Sequence, residues 1–413
     1  MLKPTPIVST FLFALGALSC TTTESLDDSM PSCQALQACA CPEPPCAVTS
    51  PTLSTAETIV PSAAMPAAVI SQTAHNNLDI TWHNDRLYFA FRTAPSHFAS
   101  ALTTLYVVST TDHIDWRFEG AFQEGTDLRE PRFLSLGGTL RLFYARLGED
   151  PLAFEPGQTR MVEYLGPDQW TPPVDTFDAG FIPWRFKVYD TVAWMTGYTG
   201  GASIYSGGPS DLEVMFLKSS DGVQWRPVHP DGATILTGGI SETAFAQLDA
   251  TTYLVGRNEA GDDGGFGSRV CAWNAAESTA WRCVDDPKKY DSPDMFVHQG
   301  DLYLIGRRHL SETGYFDQMS GGTLAQQRAV NQANYWQIPK RCALWGVDKE
   351  TLAITHVLDF PTAGDTCFAS VVPLRPSGYL IYDYRSSTDD ANIGWLDGQN
   401  GPTEVYRITL ELP

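Results

Sequence analysis

Positive charge is scarce in this chain. Of 413 residues only 27 are lysine or arginine, against 48 aspartates and glutamates, and the formal net charge is −21. No basic run occurs, so the molecule as a whole repels a phosphate backbone or an anionic lipid surface, which argues against nucleic acid as a partner. Histidine is also sparse. The tight cysteine stretch CACPEPPC contains none, so the ligand spacing of a metal site is missing, and neither a metal nor another cofactor is expected. The apolar stretch near the start is too short and too oddly flanked to span a membrane.

What that stretch does offer is an export signal. MLKPTPIVSTFLFALGALSC carries one lysine, then apolar residues, then small residues ahead of a cysteine. Its ending, ALSC, resembles the bacterial lipoprotein cleavage box, which implies lipidation of Cys20 and an exported or cell-envelope protein; an ordinary cleaved signal is the alternative. Membrane contact is expected only through such an anchor. Eight further cysteines remain: Cys33, Cys39, Cys41 and Cys46, then Cys271, Cys283, Cys342 and Cys367. An even set in an exported chain reads as disulfides. Cys271 and Cys283 flank a hairpin, and bridging it contributes roughly 3 kcal/mol in the loop-entropy picture. Residues 21–66 are rich in Thr, Ser, Pro and Ala and read as a disordered tether, because they hold too little apolar surface to order themselves. Residues 67–413 remain for one closed domain, read as a monomer.

That domain repeats. Trp116, Trp170, Trp225 and Trp281 follow one another at intervals of 54, 55 and 56 residues, each in a comparable polar turn: STTDHIDW, YLGPDQW, SSDGVQW and AAESTAW. Upstream of each lies a strand of β-branched and aromatic residues, RLYFAFR, TLRLFYAR, TVAWMTGY and TTYLVGR, and the unit recurs as DLYLIGRR and GYLIYDY. Six units of short antiparallel strands with this period predict an all-β fold, a six-bladed β-propeller of four-stranded blades. The last blade has only three strands in the C-terminal chain. AAVISQT, near residue 70, is expected to supply the fourth and so pair the two chain ends.

The turns SSDGVQW and TTDHIDW resemble the Asp-box of sialidases and related six-bladed propellers, although shorter by one residue. On the residues alone, Asp221 is a fastener that bonds turn amides, with Gly222 taking positive φ and Trp225 packing between sheets. Chemistry belongs on the opposite face, at the starts of the first strands and the ends of the second. Arginines, carboxylates and tyrosines gather at those positions, a combination suited to a hydroxylated or acidic saccharide. The alternative is a structural ring in which each arginine pairs with a neighbouring blade's carboxylate.

GGISETAFAQLDATTYLVGRN is similar to the sialidase segment in which a glutamate opens one strand and an arginine closes the next. The resemblance implies that Glu242 activates a nucleophile and that Arg257 belongs to a carboxylate-binding triad; PKRCALWGVD likewise implies Arg341. The chain departs from that family elsewhere. Asn76 and Asn77 stand where its first arginine motif would be, His97 is the titratable group where an acid is expected, and Phe368 takes the tyrosine nucleophile's place with Asp365 nearby. Cleavage of sialic acid by the standard mechanism is therefore not expected. LREPRFLSLGG and YDSPDMFVHQG resemble blade openings of five-bladed furanosidases, which nominates Glu130 and Asp291 as an acid and its partner.

Taken together, Glu242, Asp291 and Glu130 are the expected catalytic carboxylates, and Arg92, Arg257, Asn258, Arg308, Arg341, Asp365 and Tyr384 the substrate-binding residues. The expected function is that of an exported, sialidase-like glycoside hydrolase acting on a saccharide in the central funnel; a non-catalytic surface propeller binding glycan or protein is the alternative. An insertion in blade five, HLSETGYFDQMSGGTLAQQRAVNQANYWQIP, is expected to form a short helix and bring Tyr315, Tyr335 and Trp336 to the pocket wall.

Overall fold

The computed structural model describes residues 50–204, 210–278, 280–374 and 377–413. The signal segment with Cys20, and the cluster of Cys33, Cys39, Cys41 and Cys46, lie outside the described residues. Six antiparallel sheets form the blades of a propeller, in chain order 74–122, 128–176, 182–238, 240–286, 294–359 and 370–411. Each innermost strand pairs with the repeated aromatic strand that follows it, for example Ala74–His83 with Arg86–Ala94 and Ile240–Leu248 with Thr251–Asp262.

Blades stack face to face, so both faces of a strand are covered and apolar residues run without alternation: Phe89, Ala90 and Phe91 are all buried. Between blades four and five the filling is Val255, Val270, Leu302, Leu304 and Trp345. Between blades one and two it is Tyr88, Val107, Phe133 and Leu142.

The ring closes differently from the expectation. The outer strand of blade six is supplied by Thr52–Leu53 and Glu57–Val60, which pair with Thr403–Glu411. Residues 69–73 form no strand and lead into blade one. The stretch 52–60, assigned above to the tether, is thus part of the propeller. Its short alternating apolar segments were masked by the surrounding Ser, Thr and Pro.

The polar turns fasten strands three and four. In blade three, Asp221 Oδ1 accepts from the amides of Val223 and Gln224, both at 2.8 Å, while Ser219 Oγ accepts from Gly222 N at 2.8 Å and Gly222 sits at φ 75°. Blade one repeats the geometry with Asp112 accepting from Ile114 and Asp115 at 2.9 Å. These amides hold the exposed Asp221 carboxyl down at about 2. Cys271 and Cys283 face each other across the outer two strands of blade four and are bonded, as expected. Cys342 and Cys367 join blade five to the lead-in of blade six. Asp383 lies beside this second pair, but sulfurs bonded to each other are not thiolate ligands.

Near the start of their innermost strands, four blades carry a register shift: around Asn77, Glu130, Trp184 and Glu242. Asn77 and Glu130 adopt positive φ there, as do Ser292 and Cys367 ahead of the innermost strands of blades five and six. A bulge re-aims a side chain that regular pleating would bury between blades. Here it turns several towards one mouth.

Candidate functional site

Glu130 leaves the sheet at φ 53°, next to Pro131. Its Oε1 accepts from Asn77 Nδ2 at 3.3 Å, and Arg132 Nη2 stands 3.8 Å from Oε2, which is buried and has no hydrogen-bond partner among the described residues. Burial, offset in part by Arg132 and reinforced by the charge of Glu242, pushes the Glu130 carboxyl up to about 7. Glu242 is held at both oxygens: Oε1 by Arg257 at 3.0 Å and Oε2 by the amide of Ser292 at 2.8 Å. Burial pushes the Glu242 carboxyl up as well, against Arg257.

Arg257 joins these groups to a deeper layer. Its guanidinium donates to Ser241 Oγ at 2.9 Å and lies 3.2 Å from Asp291 and 2.8 Å from Glu259. Asp291 also receives Lys289 at 3.2 Å and the hydroxyl of Tyr335 at 2.9 Å. Burial opposes ionisation of Asp291, but Lys289, Arg307 and Arg257 outweigh it and hold its carboxyl down at about 2. Arg307 in turn donates to Tyr335 Oη at 2.6 Å and to Thr366 O at 2.7 Å. Asp365 takes His97 Nδ1 at 2.6 Å and the hydroxyl of Tyr384 at 2.8 Å.

Exposure divides the assembly into two layers. Side chains of Glu130, Glu242, Arg257 and His97 keep 12, 10, 12 and 17% of their surface, whereas Asp291 keeps 1% and Asp365 none. The covering element is the blade-five insertion. Its helix α1, Leu324–Gln337, starts with a reciprocal capping box between Thr323 and Gln326, and a second short helix, α2, Trp395–Asn400, packs beside it. Tyr335 of α1 and Trp395 of α2 meet at 4.8 Å, with Arg307 5.5 Å from the Trp395 ring. Asp291 and Asp365 are therefore supports, and the reachable chemistry belongs to Glu130, Glu242, Arg257 and His97.

Four of the expected binding residues lie elsewhere. Arg92 is wholly buried, paired to Asp127 at 2.7 Å and donating to Asn76 Oδ1 at 2.9 Å. Asn258 braces the hairpin that follows it, through Asp262, Gly265 O and Gly261 N. Arg308 forms a fork on Asp359 of its own blade's outer strand, and Arg341 donates to the carbonyls of Lys340 and Ala391. Tyr384 is buried and serves Asp365. Of the insertion's aromatic residues, Tyr335 enters the assembly, Trp336 stays 45% exposed, and Tyr315 faces Lys288.

The residues overlooked were Lys289, Trp395 and the position of Arg307. A signal for Arg307 existed: YFAFR, YLVGR and YLIGR place Arg92, Arg257 and Arg307 at equivalent ends of the second strand in blades one, four and five. Arg308 is one residue on and therefore on the other face. No pattern foretold Lys289 or Trp395, which come from loops whose course depends on the closed ring.

Below the carboxylates the axis is filled. Arg132 sits 4.9 Å from the Trp184 ring and 4.4 Å from that of Phe368, and Arg185 donates across the ring to Pro293 O and Ala369 O. Phe368, standing where a tyrosine nucleophile was sought, is a stacking partner for Arg132. A cleft of 290 Å³ opens at the far ends of the innermost strands, between Trp82, Ser135, Lys187 and Pro373; one of 440 Å³ lies between α1 and residues 392–397. Neither includes Glu130, Glu242 or Asp291.

Blade number and strand order define a six-bladed β-propeller, a fold that solved sialidases share. Among solved structures, an unknown-function protein from Dyadobacter fermentans matches with TM-score 0.59 at 12% identity, covering 89% of this chain and 100% of that one. Trypanosoma rangeli sialidase matches with TM-score 0.53 at 11% identity over 82% of this chain and 55% of its own, so this chain spans little more than half its length. Phage phi92 endosialidase matches with TM-score 0.56 at 9% identity over 84 and 68%. At these identities the likeness establishes the fold alone. No family model and no curated protein matches this sequence.

Proposed function

We propose that the protein is an exported saccharide-processing propeller of the glycoside hydrolase type, with Glu130 as the proton donor at the mouth. One observation carries the reading: Glu130 and Glu242 open the innermost strands of blades two and four and keep 12 and 10% of their side-chain surface, and burial, with the charge of Glu242 adding to it, pushes the Glu130 carboxyl up to about 7. A pair of acids with separated tasks is what glycosidic cleavage requires. Glu242, fixed by Arg257 and Ser292, supplies negative charge opposite a developing oxocarbenium ion. The substrate class is a hydroxyl-rich saccharide. The forks of Arg92 and Arg308 are committed to internal carboxylates, which leaves an acidic sugar little to bind.

The test is turnover of a panel of aryl glycosides and uronides. Wild-type protein should hydrolyse at least one neutral glycoside, and Glu130→Gln should slow it about 10²- to 10⁴-fold. Absence of wild-type turnover across the panel overturns the reading. The ion pairs of Glu242 and Asp291 favour the second reading, a non-catalytic glycan binder, which retention on a glycan array without turnover would support.

A further inference from the structure

We infer that His97 is a further catalytic residue of this site: its Nε2 takes the proton of the attacking water, and Asp365 is the positioning residue that fixes the imidazole. This rests on the glycoside hydrolase reading above and adds the base which that reading leaves open.

The geometry begins at Nδ1. It lies 2.6 Å from Asp365 Oδ2 and 2.8 Å from Asn76 Nδ2. Asn76 Oδ1 accepts from Arg92, which turns its amide nitrogen towards the ring, so a donor and a carboxylate compete for Nδ1; the Asp365 contact is the shorter, and we assign the Nδ1 proton to it. Nε2 is then the basic nitrogen. It makes no hydrogen bond among the described residues, and the side chain keeps 17% of its surface. Asp365 is itself held, by Tyr384 Oη at 2.8 Å on its other oxygen and by Ser386 Oγ on its amide at 3.0 Å. A base oriented by a second group that is oriented by a third is the arrangement of an activated proton acceptor.

Two adjacent residues tie this imidazole to the proton donor. Asn76 contacts His97, and Asn77, turned by its bulge to φ 45°, donates to Glu130. Arg129, next to Glu130, donates to the carbonyl of His97. The groups facing the ring from the surrounding elements are Asp365 and Tyr384 of blade six, Arg129 of blade two, Arg92 and Asn76 of blade one, and Trp395 of α2. Burial, with Arg129 and Arg92, lowers the His97 pKa against the opposing pull of Asp365. Asp365 stabilises the imidazolium formed on proton uptake.

The step balances with water as the only co-reactant. Glu130 gives its proton to the glycosidic oxygen, and the bond from that oxygen to the anomeric carbon breaks with its electron pair on the leaving group. Water oxygen bonds to the anomeric carbon and releases a proton to Nε2. Transfer of a proton from imidazolium to Glu130 through solvent restores both groups. Direct attack by water inverts the anomeric configuration.

The experiment uses the full chain and the glycoside selected by the panel. His97→Gln should lower kcat about 10²- to 10⁴-fold with little change in KM, and should do so equally for nitrophenyl and dinitrophenyl leaving groups. The Glu130→Gln loss should shrink with the better leaving group. The acid limb of the wild-type pH profile, below the usual histidine value, should be absent in His97→Gln, and exogenous imidazole or azide should restore part of the rate. Asp365→Asn keeps the ring but should shift the histidine Nδ1 proton resonance upfield. If Glu130→Gln is impaired while His97→Gln keeps wild-type kcat, or if the product is retained in configuration, this inference fails and the glycosidase reading survives. No wild-type turnover removes both.

Discussion

Arginines at one repeated position do different work depending on what faces them. Arg92, Arg257 and Arg307 end equivalent strands, but Arg92 is sealed against Asp127 while Arg257 reaches the mouth. Burial, joined by the charge of Arg129, lowers the Arg92 pKa to about 10 against the opposing pull of Asp127. Removing one partner of such a pair strands the other charge. Arg92→Leu should lower the unfolding free energy by about 3 kcal/mol, and Arg92→Leu with Asp127→Leu by less, measured by urea denaturation. Equal losses in both would mean that the pair is not coupled. Asp291 makes a pH prediction. Its carboxyl is held at about 2 against an ordinary 3.8, so its contribution is present above the ordinary value and is lost as pH falls through the folded one. The stability gap between wild type and Asp291→Asn should therefore be constant above about pH 4 and narrow from there to about pH 2.

At the scale of elements, the first strands show why the site was only half legible. β-Branched and aromatic composition, the repeat period and turn residues identified the second strand of each blade, and they located Glu130 and Glu242 at strand starts. They did not reveal the bulges, because a register shift appears only when a strand is laid against its partner. Helix α1 was legible from its own sequence, TLAQQRAVNQANYW, while its Thr323 cap emerged with the structure. Its role as a cover was not, because Tyr335 meets Asp291 of the same blade's lead-in and Trp395 of the next. Thr323→Ala removes the cap and should destabilise α1 by about 1 kcal/mol, seen as faster amide exchange in 324–330. The propeller's melting midpoint should stay within a degree or two if α1 opens independently. A concerted drop would show the cover to be integral to the ring.

For the whole molecule, closure depends on a strand from the opposite end of the chain. Residues 52–60 cover the edge of Thr403–Glu411, and Arg407 bonds Glu57 in the same seam. Deleting the chain up to residue 61 should lower the melting midpoint by several degrees and cause concentration-dependent association in light scattering, through the uncovered edge. A monomeric, equally stable product would count against edge pairing as the closure. Period, strand chemistry and turn fasteners are local, so the sequence by itself determined a ring of six antiparallel blades and one disulfide across a hairpin. Which arginine is sealed, which carboxylate stays reachable and which segment closes the ring depend on what each blade meets in its neighbour. Those contacts join residues as far apart as His97 and Asp365, and only the tertiary structure decided them.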